Sequence, residues 1–127
     1  MKQIFLSVGV ILGLLILGVA CDYGKSGGGT SAGDSALMSP ASSAGRMDND
    51  EGVGHYKQGH WDVSEGHFRK AIKADSNLAE AHYNLGLALD KMGKHDEATT
   101  EFKKAAELAP NDPAIKDSAI LKKHIAM

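Results

Sequence analysis

The sequence predicts an all-α protein: two helix-turn-helix repeats closed by a capping helix, preceded by an export segment and a disordered linker. Three observations lead there. Displaced by 34 residues, the chain matches itself at Gly52/Gly86, Lys57/Lys91, Gly59/Gly93, Asp62/Asp96, Phe68/Phe102, Lys70/Lys104, Ala71/Ala105 and Asn77/Asn111, where chance supplies about two identities. Apolar residues within the second copy recur at the spacing of a helix face, as at Ala81, Leu85, Ala88 and Met92. Gly93 and Pro110 fall where helices must turn and stop.

Composition narrows the function. The 127 residues carry 14 Lys plus Arg against 16 Asp plus Glu, enough chain for one small domain. No cluster of four or more basic residues exists to neutralise phosphates, so nucleic acid is not a partner. The single cysteine, Cys21, excludes an internal disulfide framework.

The first element, residues 1–20, reads as a signal peptide: Lys2 precedes residues 4–20, apolar or small apart from Ser7. Those 17 residues make roughly 25 Å of helix at about 1.5 Å each, short of the roughly 30 Å hydrocarbon core. The run Leu17, Gly18, Val19, Ala20, Cys21 resembles the lipobox of bacterial lipoproteins. That resemblance implies cleavage before Cys21, lipid on its thiol, and a place in the bacterial cell envelope on the periplasmic or extracellular side of a membrane. Each buried methylene of the acyl chains adds about 0.8 kcal/mol to membrane association.

Residues 21–45 are dominated by Gly, Ser and Ala and read as a flexible linker. Leu37 and Met38 stand out in it and are read as part of the solvated chain. Its Gly-Lys-Ser at residues 24–26 lacks the preceding strand and the spacing of a phosphate loop.

The first repeat, residues 46–78, keeps Phe68, Ala71 and Ile72 on one helical face, while Gly52 and Gly54 weaken its first helix. Asp48 with Glu51 three places on has the form of a cap. In the second repeat, residues 79–112, Gly86 permits close helix approach, Asp96 can cap the second helix, and Ala98, Phe102, Ala105 and Ala106 form its apolar face. Leu85, Gly86, Ala98, Phe102 and Pro110 stand at the spacing of the tetratricopeptide repeat (TPR), which this segment resembles, with His82 in the usual Trp slot and Leu89 in the usual Tyr slot. The resemblance implies a short right-handed α-solenoid whose first helices line a concave groove.

Residues 113–127 read as the capping helix, with Asp112 as its cap, Pro113 in its first turn, and Ala114, Ser118, Leu121 and Ile125 on one face. A stack of two repeats falls below the roughly three needed for independent stability, so a bound partner or a second copy is expected to stabilise it.

The slots that the resemblance places in the groove hold Glu80, Tyr83, Asn84, Leu87, Asp90 and Lys91, with Asn49, Asp50, Val53, Tyr56 and Lys57 from the first repeat. Tyr83 and Leu87 read as anchors for a protein or peptide partner, and Asn84 as a main-chain contact. Six histidines are present, with no two at i, i+4 spacing and no HExxH or CxxC, so no metal or cofactor is expected. The acidic residues are scattered and Cys21 is taken by lipid, so no enzyme is expected. The function read here is a membrane-anchored adaptor or scaffold; the alternatives are a stable subunit of an envelope secretion, pilus or outer-membrane assembly complex and, third, a metal or haem carrier.

Overall fold

The computed structural model of the protein describes residues 35–126, and the signal peptide, Cys21 and the first part of the linker lie outside them. Six helices follow one another: α1 (Arg46–Lys57), α2 (Trp61–Ala74), α3 (Ala79–Lys91), α4 (His95–Leu108), α5 (Pro113–Lys116) and α6 (Ala119–Ile125). The first four form two antiparallel hairpins, α1/α2 and α3/α4, at the predicted period. Both hairpins turn at a glycine in the left-handed region, Gly59 at φ 80 and Gly93 at φ 77, where a Cβ would be strained.

Each hairpin is closed by one phenylalanine against one glycine. A Cβ on Gly86 would lie 2.8 Å from the Phe102 ring, and one on Gly52 would lie 2.6 Å from the Phe68 ring. Phe68 and Phe102 are both fully buried, a burial that contributes about 1.5–3 kcal/mol each. The missing side chain is what lets the ring reach the opposite helix axis.

Helix α3 is the centre of the molecule. It packs on α1 and α2 on one side and on α4 on the other, and every residue from Ala81 to Leu89 is buried. That explains why its sequence is apolar on more than one face.

Three boundaries differ from expectation. Asp48 and Asp96 sit inside the first turns of α1 and α4, whose caps are Gly45 and Lys94; there the carboxylates favour the positive end of the helix dipole. The single capping helix is two, because the Ser118 hydroxyl accepts from Leu121 N–H and starts α6 afresh. Residues 35–45, expected to be linker, lie against the repeats: Ala36 and Leu37 pack on the core, and the Ser43 hydroxyl donates to Asp75 Oδ2 at 2.7 Å.

Candidate functional site

Asparagine side chains on α1 and α3 converge on the backbone of Leu37. The Oδ1 of Asn84 accepts from Leu37 N–H at 2.7 Å, and its Nδ2 donates to the Leu37 carbonyl at 2.7 Å. The second hydrogen of Nδ2 goes to Asn49 Oδ1 at 2.8 Å. Asn49 Nδ2 in turn donates to the Leu37 carbonyl at 2.9 Å. Two residues further along, Ser39 N–H donates to Asp50 Oδ1 at 3.0 Å. Amide N–H groups at positions 37 and 39 are therefore both held, the alternation of an extended strand.

Asn49 and Asn84 are both fully buried. An amide side chain placed there without partners would cost about 1–3 kcal/mol, so the site is built to be filled by main chain. The arrangement recognises an N–H and a C=O by position and makes no bond to a side chain of the segment.

Of the residues assigned to the groove from sequence, Asn49 and Asn84 make this clasp. Tyr83 and Leu87 do not stand free as anchors: they are 1% and 0% exposed. The Tyr83 ring packs on Phe102, and its hydroxyl lies 2.9 Å from the Ser118 hydroxyl at the start of α6. The helical break at Ser118 thus sets its hydroxyl against Tyr83, while α6 packs on α4. Val53 and Tyr56 are buried as well, Tyr56 against the Trp61 ring at 4.8 Å. Glu80 and Asp90 are half-buried, while Lys57 and Lys91 are exposed. Asp50, also placed in the groove from sequence, holds Ser39 N–H; Leu37 and Ser39 are the residues sequence reasoning missed. The signal present was Leu37, with Met38 the apolar pair at the end of a Gly/Ser/Ala run.

Comparison with known proteins agrees with this architecture. The tetratricopeptide repeat profile matches residues 49–113, just over half of the chain. The chain belongs to the tetratricopeptide repeat family. Among curated proteins it is similar to anaphase-promoting complex subunit 3 of Schizosaccharomyces pombe, 34% identical over 51% of this chain and 10% of that protein. It is also similar to protein bimA of Emericella nidulans, 34% identical over 57% of this chain and 10% of that protein. The TPR protein thus spans about a tenth of the length of these relatives, and the likeness lies in the repeats.

Away from the clasp, the TPR scaffold carries an ion network and several histidine groups. Glu65 on α2 bonds Arg69 at 2.8 Å and Lys94 at 3.1 Å, and Arg69 reaches Glu97 at 3.1 Å, joining the two hairpins. Burial pushes the Glu65 carboxyl upward, but the bonds and charges of Arg69 and Lys94 outweigh it and hold it below the usual carboxylate value. His82, in the slot where Trp is usual, presents Nδ1 to Glu101 at 2.7 Å and Nε2 to the Ser76 carbonyl at 3.1 Å. Two sets of side chains have metal-binding donors close together: Glu51, His55 and His67 on α1 and α2, and Asp90, His95 and His124 on α3, α4 and α6. Sequence spacing did not bring either set together, because each draws on more than one helix.

Proposed function

We propose that this TPR protein is a membrane-anchored adaptor that docks a protein partner through an extended segment of that partner's main chain. The observation that carries the reading is the clasp of Asn84 and Asn49 on both polar atoms of Leu37. Residues 36–39 fill the clasp in cis, and a partner enters by displacing them. The family supports protein binding as the task, since helical repeats of this kind expose a concave surface and carry their specificity there. The lipid attachment at Cys21 and the place in a bacterial envelope rest on the lipobox resemblance of residues 17–21. The relatives are matched over about a tenth of their own length and say nothing of a compartment.

The test uses a labelled peptide with the sequence of residues 33–42 and the full chain carrying Leu37→Pro, which removes the N–H that Asn84 accepts. The peptide should bind this variant about tenfold more tightly than the wild-type chain, whose own segment competes. Adding Asn84→Leu should abolish capture. Absence of binding to the folded Leu37→Pro variant would exclude the groove as the docking site. Membrane attachment is checked separately: Cys21→Ser should release the protein from membranes, and retention would favour an uncleaved helix.

The alternative reading, a permanent subunit of an envelope complex, differs in kinetics. A subunit stays bound on high dilution, whereas an adaptor exchanges.

A further inference from the structure

Asp90 near the end of α3, His95 at the start of α4 and His124 on α6 meet at one point. Asp90 Oδ1 lies 2.9 Å from His95 Nδ1 and 2.9 Å from His124 Nε2, and the donor atoms all lie within 4.8 Å of one another. His124 is only 2% exposed, and both of its ring nitrogens have partners: Nδ1 lies 2.9 Å from the Thr99 hydroxyl and Nε2 faces the Asp90 carboxylate. In the tautomer with its hydrogen on Nδ1, which the Thr99 oxygen can accept, Nε2 presents its lone pair beside the carboxylate, the form a metal ion selects.

We propose that Asp90, His95 and His124 bind a divalent first-row transition metal ion, zinc foremost, which fastens α6 to the turn between α3 and α4. Two imidazoles and one carboxylate suit such ions better than magnesium or calcium. With metal–ligand bonds of about 2.1 Å, the two 2.9 Å edges each subtend about 90° at the ion. Widening to the tetrahedral angle asks for a shift of roughly half an ångström on each edge, which His95, 61% exposed, makes on its own edge and the 19% exposed Asp90 carboxylate makes against the buried His124. Thr99 plays the outer part, fixing the His124 ring with Nε2 toward the ion. Lys91 and Lys123 line the hollow beside Asp90, and their charge selects against cations held by electrostatics alone. The role is structural: α6 has seven residues, too few for a helix to hold itself.

The second donor set, Glu51, His55 and His67, is the competing location. There His67 Nδ1 stands 3.7 Å from Asp48 and 3.8 Å from Glu51. Zinc titration of the untagged full chain by calorimetry, with His95→Ala and His55→Ala alongside, separates the two. The expected result is one zinc per chain, affinity reduced about tenfold or more by His95→Ala and unchanged by His55→Ala. Zinc should raise the melting midpoint of the wild type and leave that of His95→Ala in place. On the wild-type protein itself, nuclear magnetic resonance should show zinc moving the ring signals of His95 and His124 while those of His55 and His67 stay put. The proposal is overturned if His95→Ala binds as well as wild type, if the loss follows His55→Ala, if the wrong ring signals move, or if the wild type takes up no zinc.

Discussion

The side chain of Asn84 pairs with the backbone of Leu37 as a neighbouring β-strand would: N–H to Oδ1 at 2.7 Å, carbonyl to Nδ2 at 2.7 Å. One amide thus reads both main-chain polar groups of a single residue, and Asn49 adds a third bond to the same carbonyl. Recognition of this kind tolerates many sequences at the clasped position. It demands extended geometry and a residue with a free N–H.

Asn84→Ala should therefore free the segment while leaving the hairpins folded. We expect a loss of about 1–3 kcal/mol in urea denaturation and faster hydrogen exchange at the amides of Leu37 and Ser39. Asn84→Asp keeps the acceptor for Leu37 N–H but turns an oxygen toward the Leu37 carbonyl and Asn49 Oδ1, and should cost at least as much. Unchanged exchange at Leu37 in Asn84→Ala would show that the clasp is not what holds it.

The helical glycines divide into two classes with opposite predictions. Gly86→Ala drives a methyl into the buried Phe102 ring and should destabilise by about 1–3 kcal/mol, despite alanine's better helix propensity. Gly54→Ala and Gly66→Ala meet nothing within 4 Å and should each stabilise by about 0.5–1 kcal/mol. Thermal melts of the three variants decide it, and a destabilised Gly66→Ala would contradict the packing described for α2.

Acid should loosen the contact between the hairpins. Glu65 titrates below its usual 4.5 in the folded protein, so its contribution is present above that pH and is lost as pH falls through the lowered value. Arg69 and Lys94 are 47% and 41% exposed, so screening limits the contribution to about 0.5 kcal/mol. Glu65→Gln should remove that increment at pH 7 and flatten the stability profile below pH 4.5. An acid limb of equal slope in the variant would assign the effect elsewhere.

At the closing helix, Tyr83→Phe removes the hydroxyl that meets Ser118 and should cost about 1 kcal/mol. Ser118→Ala removes that bond and the cap on Leu121 together, so about 1–2 kcal/mol is expected. Hydrogen exchange along α6 should quicken in Ser118→Ala more than in Tyr83→Phe; the reverse order would mean that the cap contributes little.

The hairpins were legible in the sequence because their closing contacts recur with the period. Gly52 with Phe68 and Gly86 with Phe102 repeat both the residue types and the spacing, so self-comparison finds the geometry as well as the helices. Asn49 and Asn84 were found by position. Their ligand was not, because Leu37 contributes its peptide group, which every non-proline residue has, and composition is blind to it. Tyr83 and Leu87 were misread as free, Tyr83 for a related reason. The last fifteen residues lie outside the repeat, and nothing in the period fixes where they fold back. Ser118 could be read as one member of a stripe, whereas its hydroxyl breaks the helix there.

Seating residues 36–39 in the clasp also sets how far the folded part can stand off from Cys21. If that cysteine is held at a bilayer as proposed, capture of a partner in their place would release residues 36–44, which at about 3.3 Å apiece would lengthen the leash by up to roughly 30 Å. Occupancy and altitude would then become one variable: the empty-handed protein would ride low over the lipid, and the loaded one would be let out toward whatever its cargo has yet to meet.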